Sequence, residues 1–357
     1  MFIKFPIIET IDLMRFFLLM CGLSGVIPLV QAQLPPMNPA EVVGVESCAE
    51  CHEEMVDAWE GSAHSKSFET LLSGPKAQEM ASILQVRPGE IPATASCVRC
   101  HYTQELIASI PQPTAGISCE SCHGAAFDWI DEHYRKSLSR DRRVSSSVEL
   151  GMIHPDSVSA MTKTCYECHV IDDEQLVNLA GHPAVSEQFE FLSWYSGEVT
   201  HNFLVQVAGK SVKSHSDVLQ PISANRQRML FLTGKLQHLS FSLRALARAK
   251  DPPVDLKGNF IRLPDGSYTY GVQHAMVIRN LQKDFKEIVN CVPIPQFSRA
   301  LALLRGLELK TGYEREMVEV ADQLDRLIEQ FCSEGSGSSF GAIDPLMKRN
   351  KPKYSGE

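Results

Sequence analysis

The chain has 357 residues, of which 44% are hydrophobic and 22% charged, and its formal net charge is −9. This composition is typical of a soluble globular protein and excludes a mostly disordered chain, a collagen and a polytopic membrane protein. The acidic balance also argues against a nucleic-acid-binding protein, which normally carries a basic surface. The unusual feature is the presence of 11 cysteines beside 12 histidines, whose spacing is more informative than their number.

An apolar segment near the start of the chain is typical of a secretory signal peptide. Phe16–Val30 holds 15 residues without a charge, which is short for a membrane span, and Arg15 supplies the positive flank. Small residues at the −3 and −1 positions place cleavage before Gln33, so residues 1–32 form the predicted signal peptide. A start at Met14 would remove the acidic residues ahead of it, and an uncleaved membrane anchor is the alternative to cleavage.

Eight of the cysteines belong to four copies of the motif C-x-x-C-H, whose expected number by chance is about 0.01 at this composition. The motif is the attachment signal of c-type haem, in which two thiols bond to the vinyl groups and the histidine ligates the iron. We therefore predict four covalently bound haems c. In chain order, motif 1 is Cys48, Cys51 and His52; motif 2 is Cys97, Cys100 and His101; motif 3 is Cys119, Cys122 and His123; and motif 4 is Cys165, Cys168 and His169.

Three other uses of paired cysteines compete with haem attachment. The cysteine pairs of motifs 2 and 3 are separated by 18 residues, which fits a zinc site of four thiolates. Disulfides would suit an exported protein, and C-x-x-C also occurs in thioredoxin-like redox pairs. None of these needs a histidine directly after every second cysteine, so the fourfold repetition favours haem.

Eight histidines outside the motifs are candidates for the sixth ligand of a haem iron. A distal histidine closes the sixth position, which suits electron transfer, whereas a missing one leaves an open site for a small molecule. A histidine without further context is more often a surface or packed residue. The eight are His64, His133, His154, His182, His201, His215, His238 and His274.

Segments around motifs 1 and 3 resemble the cytochrome c-554 family of periplasmic tetrahaem cytochromes. The resemblance covers about residues 45–205 and depends on distal histidines that follow the motifs in a fixed order. The matching segments are Trp59 to His64, the block Gly116–Gly124 that contains motif 3, and His133 ahead of Arg135 and Lys136.

The resemblance implies a mostly helical fold with little regular structure between haems, which stack closely in pairs. It implies that His133 closes the haem of motif 1, His201 that of motif 3 and His64 that of motif 4. The haem of motif 2 is five-coordinate in the best-known member of the family. No histidine of this chain is marked by the resemblance as its sixth ligand, and the spare His154 and His182 are the candidates that could serve.

Residues 206–333 form an added helical region in which His238 and His274 are expected to be structural. Apolar residues at three- to four-residue spacing predict helices here, and we expect an antiparallel bundle packed against the haem part. A loop rich in Pro, Gly and Asp separates the first two. The predicted helices begin near Leu219, His274, Pro295 and Tyr313.

Two further features lie toward the end of the chain. Cys291 and Cys332 belong to no motif, and in an oxidising compartment they could form a disulfide. Residues 334–357 are polar and rich in Gly and Ser, so we expect a disordered tail.

These observations predict a mainly α protein in which residues 33–205 form a tetrahaem cytochrome c domain. We expect it to be periplasmic and to transfer electrons between redox protein partners. The helical region would then serve an oligomer or a membrane-associated redox complex. The alternative is a multihaem enzyme that oxidises or reduces a small nitrogen compound at an open haem on His101, although no convergent acid and base residues accompany it.

Overall fold

The structure is a computed structural model that describes residues 37–186, 189–197, 222–251, 255 and 259–349. The predicted signal peptide, His201 and His215 lie outside these residues. Within them the chain forms fifteen α-helices, two 3-10 helices and one two-stranded sheet, so the predicted mainly helical fold is confirmed. No helix of this described part is long and apolar enough to cross a lipid bilayer.

The first three motifs lie on a series of short helices. These are α1 (Val45–Glu60), α2 (Ala63–Ser73), α3 (Pro75–Ile83), the 3-10 helix Pro88–Ala93, α4 (Ala95–His101) and α5 (Cys119–His123). α2 begins after Ser62, whose hydroxyl accepts a hydrogen bond from the Ser65 N–H at 3.1 Å. α3 begins at Pro75, which lacks the N–H that a first turn leaves unbonded. Local sequence therefore sets where these helices begin.

A β-hairpin leads from motif 2 to motif 3. Strands β1 (Thr103–Ile107) and β2 (Ile110–Ala115) pair in antiparallel register, with Ile107 opposite Ile110. The two turn residues have positive φ angles, 48° at Ala108 and 65° at Ser109. A two-residue turn of this kind favours Asn-Gly, and because that signal is missing here the sequence does not predict the hairpin.

Five helices follow, and the third of them carries motif 4. They are α6 (Ile130–His133), α7 (Arg140–Glu149), α8 (Val158–His169), α9 (Glu174–Asn178) and α10 (Phe191–Gly197). α8 begins after Ser157, whose hydroxyl accepts from the Ala160 N–H, and α9 begins after Asp173, whose carboxylate accepts from the Leu176 N–H. Side-chain caps thus set the start of the helix that carries motif 4 and the start of the helix that follows it.

The C-terminal helices are α11 (Ala224–Ala247), α12 (Tyr270–Cys291), α13 (Pro295–Leu303), α14 (Glu314–Glu334), the 3-10 helix Ser338–Ile343 and α15 (Asp344–Arg349). The predicted helices are present, but α11 is buried on several sides rather than on one, because α8, α10, α12 and α14 all contact it. At Gly234 a Cβ would lie only 2.8 Å from the Cβ of Phe191, so α10 packs closely against α11 there.

One hydrophobic core joins α8 to the C-terminal helices. It contains Val158, Met161 and Tyr166 together with most of α11, so the expected boundary between residues 205 and 206 does not separate two cores. The expected disordered tail also differs from the structure over residues 338–349. Ile343, Leu346 and Met347 are buried in the same core, because Gly and Ser near the start of the tail are followed by an apolar turn.

Candidate haem-binding site

The four motifs occupy equivalent places in the secondary structure. His101, His123 and His169 are the last residues of α4, α5 and α8. His52 interrupts α1, with φ −124° and ψ 38°. Residues three apart lie on one face of a helix, so the two cysteines of each motif share a face. The histidine stands where the helix ends, so its side chain need not lie on the face that carries the cysteines. The thiols and the imidazole can therefore contact different parts of one flat ligand.

Thiol contacts bring the motifs together in two pairs. Cys48 of motif 1 hydrogen-bonds with Cys119 of motif 3, and this bond and then burial raise the pKa of Cys48. Cys100 of motif 2 hydrogen-bonds with Cys168 of motif 4. Burial also raises the pKa of Cys122 to about 11. Motifs 1 and 3 are therefore neighbours, and so are motifs 2 and 4.

This pairing bears on the zinc alternative, which needs the cysteines of motif 2 to meet those of motif 3. Cys100 contacts motif 4 instead. In the part of the chain that the structure describes, no group of three or more His, Cys, Asp or Glu side chains is arranged to hold a metal ion by itself.

Two motif histidines each lie opposite a distal histidine. The ring centroids of His52 and His133 are 6.3 Å apart, and those of His64 and His169 are 6.2 Å apart. An imidazole nitrogen lies about 2 Å from a first-row metal that it ligates, so two imidazoles on opposite sides of one metal hold their centroids roughly 6 Å apart. Both pairs therefore fit the two axial ligands of one haem iron, and they are the pairs that the resemblance implies.

Hydrogen bonds at Nδ1 orient several of these rings. His123 Nδ1 lies 3.1 Å from the Ile153 carbonyl, and His133 Nδ1 contacts the Ile130 carbonyl. His169 Nδ1 lies 3.0 Å from the Ser186 hydroxyl. A carbonyl can only accept, so it keeps the proton on Nδ1 and leaves Nε2 as the metal-binding atom. The partners of His123 and His169 could not be recognised from the sequence, because they depend on how loops fold back, whereas Ile130 lies one turn before His133 in α6.

The motif histidines are held neutral, which metal ligation requires. Burial and then the nearby His182 lower the pKa of His101 to about 4. Burial, followed by the proximity of His64 and His101, lowers the pKa of His169 to about 3. Burial also lowers the pKa of His123. Paired thiols, facing neutral imidazoles and apolar surroundings together fit covalently bound haem.

A cavity of about 540 Å³, which includes solvent at its mouth, lies beside motif 2. Its lining includes Cys97, Cys100 and His101 together with His182. The other spare histidine, His154, lies near motif 3 and lowers the pKa of His123. The structure therefore assigns different neighbourhoods to the two spare histidines. His201, the ligand that the resemblance implies for motif 3, is outside the described residues.

Glu120, inside motif 3, has a role that the sequence analysis missed. Its buried carboxylate accepts hydrogen bonds from the N–H groups of Val43 at 3.1 Å, Gly44 at 3.0 Å and Ala126 at 2.8 Å. Burial raises the pKa of Glu120 in spite of these bonds. The carboxylate fastens the segment ahead of motif 1 to motif 3, and a charged residue between two haem cysteines is the signal that could have suggested it.

The remaining candidates lie in or near the C-terminal helices. Cys291 and Cys332, for which the sequence left a disulfide open, are both free thiols. His238 is half-buried and stacks on Tyr166 with ring centroids 5.1 Å apart. His274 is fully buried, and its Nε2 lies 3.2 Å from the Ile171 carbonyl. Both histidines pack the core against the segment that carries motif 4.

Comparison with known proteins identifies the region around the first three motifs. Residues 47–124 match the family described as cytochrome c554 and c-prime. The resemblance to this family is thus confirmed over motifs 1 to 3, and motif 4 lies beyond the match. Over 137 residues the chain is 24% identical to cytochrome c-554 of Nitrosomonas europaea. That alignment covers 36% of this chain and 57% of the relative. No solved structure matches the chain.

Proposed function

We propose that the protein is a periplasmic tetrahaem c-type cytochrome that carries electrons between redox protein partners. The observation that carries this proposal is the pair of separations, 6.3 Å for His52 and His133 and 6.2 Å for His64 and His169. Both pairs join a motif histidine to a distal histidine far from it in sequence. The match of residues 47–124 to a cytochrome family supports the same function.

Each group of side chains has a distinct part in this function. The eight motif cysteines would tether four haems, each of which supplies a one-electron iron couple when bound. His52, His101, His123 and His169 would be the proximal ligands. His133 and His64 would close the first and fourth sites, and His201 is our candidate for the third. The Nδ1 hydrogen bonds to Ile153, Ile130 and Ser186 fix the rings, so that little rearrangement accompanies a change of charge.

The contacts between motifs support electron transfer within the protein. Cys48 contacts Cys119 and Cys100 contacts Cys168, and Cys122 is close enough to Cys165 to raise its pKa further. All four motifs therefore form one continuous group. A carrier needs this arrangement, because the entry and exit sites for electrons can then lie at different ends of the group.

The setting in the cell is part of the same proposal. The predicted signal peptide over residues 1–32 would export the chain to the periplasm, where haem is attached. The net charge of −9 would favour basic redox partners. The helices from α11 to α15 offer the surface that we propose for an oligomer or a membrane-associated redox complex.

The haem content tests this proposal directly. The full chain, exported with a haem-maturation system, is expected to have the mass of the processed polypeptide plus four haems. His133→Ala and His64→Ala should each convert one haem from low-spin to high-spin, measured by electron paramagnetic resonance. His238→Phe, which removes a histidine outside all four sites, is the control and should leave the spin states unchanged. A mass with fewer than four haems would contradict the tetrahaem assignment.

A further inference from the structure

Two histidines line the cavity beside motif 2. His101 and both thiols of motif 2 form one part of the lining, and His182 comes from the loop after α9. Met80, Leu84 and other apolar side chains complete the lining. The cavity therefore brings a motif histidine and a second histidine to one site, as the two pairs described above do.

Backbone hydrogen bonds hold the His182 loop in place. The His182 N–H donates to the Leu176 carbonyl at 3.2 Å, and the Gly181 N–H donates to the Val177 carbonyl at 3.2 Å. Gly181 has a φ of 72°, which glycine adopts without strain. On the other side of the loop, the Ile171 N–H donates to the Ala184 carbonyl at 2.9 Å. His182 is thus fixed by the segment that directly follows motif 4.

The chemistry of His182 suits a metal ligand. Its Nδ1 lies 2.8 Å from the Pro183 carbonyl, so the proton belongs on Nδ1 and Nε2 is left to bind a metal. Burial is the main cause that lowers the pKa of His182, which favours the neutral ring. The Nδ1 atoms of His123 and His133 also contact carbonyls, so the same ring nitrogen is left for the metal at all three histidines.

We propose that His182 is the sixth ligand of the haem iron carried by motif 2, opposite His101. This inference depends on the proposed tetrahaem function and goes beyond it, because the resemblance marks no ligand at this position. The sixth position is then closed to small molecules at the site where the enzyme alternative needs it open. Each of the four haems would then have a second histidine, which suits an electron carrier.

Spectroscopy of the full, haem-loaded protein tests the assignment. The reduced wild-type protein is expected to show no rapid change in its Soret band on addition of carbon monoxide. His182→Ala should make one haem in four high-spin and reactive with carbon monoxide. Added imidazole should restore the low-spin spectrum of this variant by occupying the vacated position. Leu179→Ala, an exposed side chain in the same loop, is the matched control and should behave as wild type.

A second variant separates ligation from folding. His182→Met keeps a side chain that can ligate iron, so the haem should remain low-spin while the midpoint potential of one haem rises. Four haems by mass with one carbon-monoxide-reactive haem in the wild type would overturn the role of His182 and leave the tetrahaem function standing. An unchanged spectrum in His182→Ala would overturn it as well. Fewer than four haems in the wild type would instead overturn the proposed function, and this assignment with it.

Discussion

The chain on either side of residue 158 buries apolar side chains to very different extents. Residues 37–157 contain seven buried apolar side chains in 121 residues, whereas the described residues from 158 to 349 contain 45. The first part holds three of the four motifs, and the second holds motif 4 and the C-terminal helices. A part with so few buried apolar groups cannot offset the entropy of ordering its chain by hydrophobic burial alone.

The difference indicates what stabilises each part. In residues 37–157 polar contacts join the segments, such as the Trp59 Nε1–H bond to the Ile117 carbonyl at 2.7 Å and the Glu120 carboxylate described above. The thiols and histidines of the motifs face one another where a core would otherwise be. Four large apolar cofactors would fill that space. From residue 158 onward the protein has a core of its own, and α8 brings motif 4 into it.

The largest test of this comparison is the removal of haem. A chain from Gln33 onward, produced without haem attachment, should lose amide protection throughout residues 37–157 and keep it in α11, α12 and α14. The reason is that only the second part has a hydrophobic core independent of haem. Hydrogen exchange followed by mass spectrometry measures both parts in one experiment. Equal protection of the two parts would show that haem is not the core of the first.

The core of the second part should respond strongly to a cavity. Leu236 is completely buried in α11, and Leu236→Ala should lower the free energy of unfolding by about 2–5 kcal/mol. Leu179→Ala removes the same atoms from a side chain that is 62% exposed, and should change the free energy of unfolding by less than about 0.5 kcal/mol. Urea denaturation followed by circular dichroism compares the stabilities of the two variants. Similar losses of stability in both would mean that α11 does not lie at the centre of the hydrophobic core.

In residues 37–157 we expect the substitution of a polar group, the Glu120 carboxylate, to cause the largest loss of stability. Glu120→Ala leaves three backbone N–H groups without their acceptor and should destabilise the haem-loaded protein by about 3 kcal/mol. Glu120→Gln retains an acceptor oxygen and should lose less. Glu53→Ala, which removes an exposed carboxylate from α1, is the control. Thermal unfolding measured at the Soret band should rank the three variants, and equal midpoints for Glu120→Ala and Glu53→Ala would contradict the role of Glu120.

The half-buried His238 makes the second part sensitive to acid. Burial lowers its pKa to about 3, far below the value of an exposed histidine. As pH falls from about 6.5 toward 3 the unfolded chain takes up the proton first, so stability falls by about 1.4 kcal/mol per pH unit from this group. His238→Phe keeps a ring against Tyr166 and should flatten this part of the pH dependence. Urea midpoints between pH 7 and 4 measure the slope, and parallel curves for variant and wild type would contradict it.

The sequence predicts those features that depend on local spacing. The motifs, the helix caps and the C-terminal helices follow from residues close together in the chain, and the resemblance adds the pairs His52–His133 and His64–His169. The sequence left His154 and His182 as alternatives for motif 2, because the approach of either depends on how a loop returns across the fold. The spacing of apolar residues also does not reveal how many other helices pack against a given helix. The position of α11 at the centre of the hydrophobic core was therefore not predicted.

The smallest effect concerns the hairpin that the sequence did not predict. Ala108 and Ser109 both adopt positive φ angles, a conformation that costs most residues free energy and that Asn and Gly adopt readily. Ala108→Asn combined with Ser109→Gly should therefore stabilise the haem-loaded protein by about 0.5–1 kcal/mol. Thermal unfolding measures the gain. The hairpin contains no haem ligand, so the same change in the haem-free chain should leave residues 37–157 unprotected. Full protection there would show that a turn, rather than the missing haem, limits the stability of the first part.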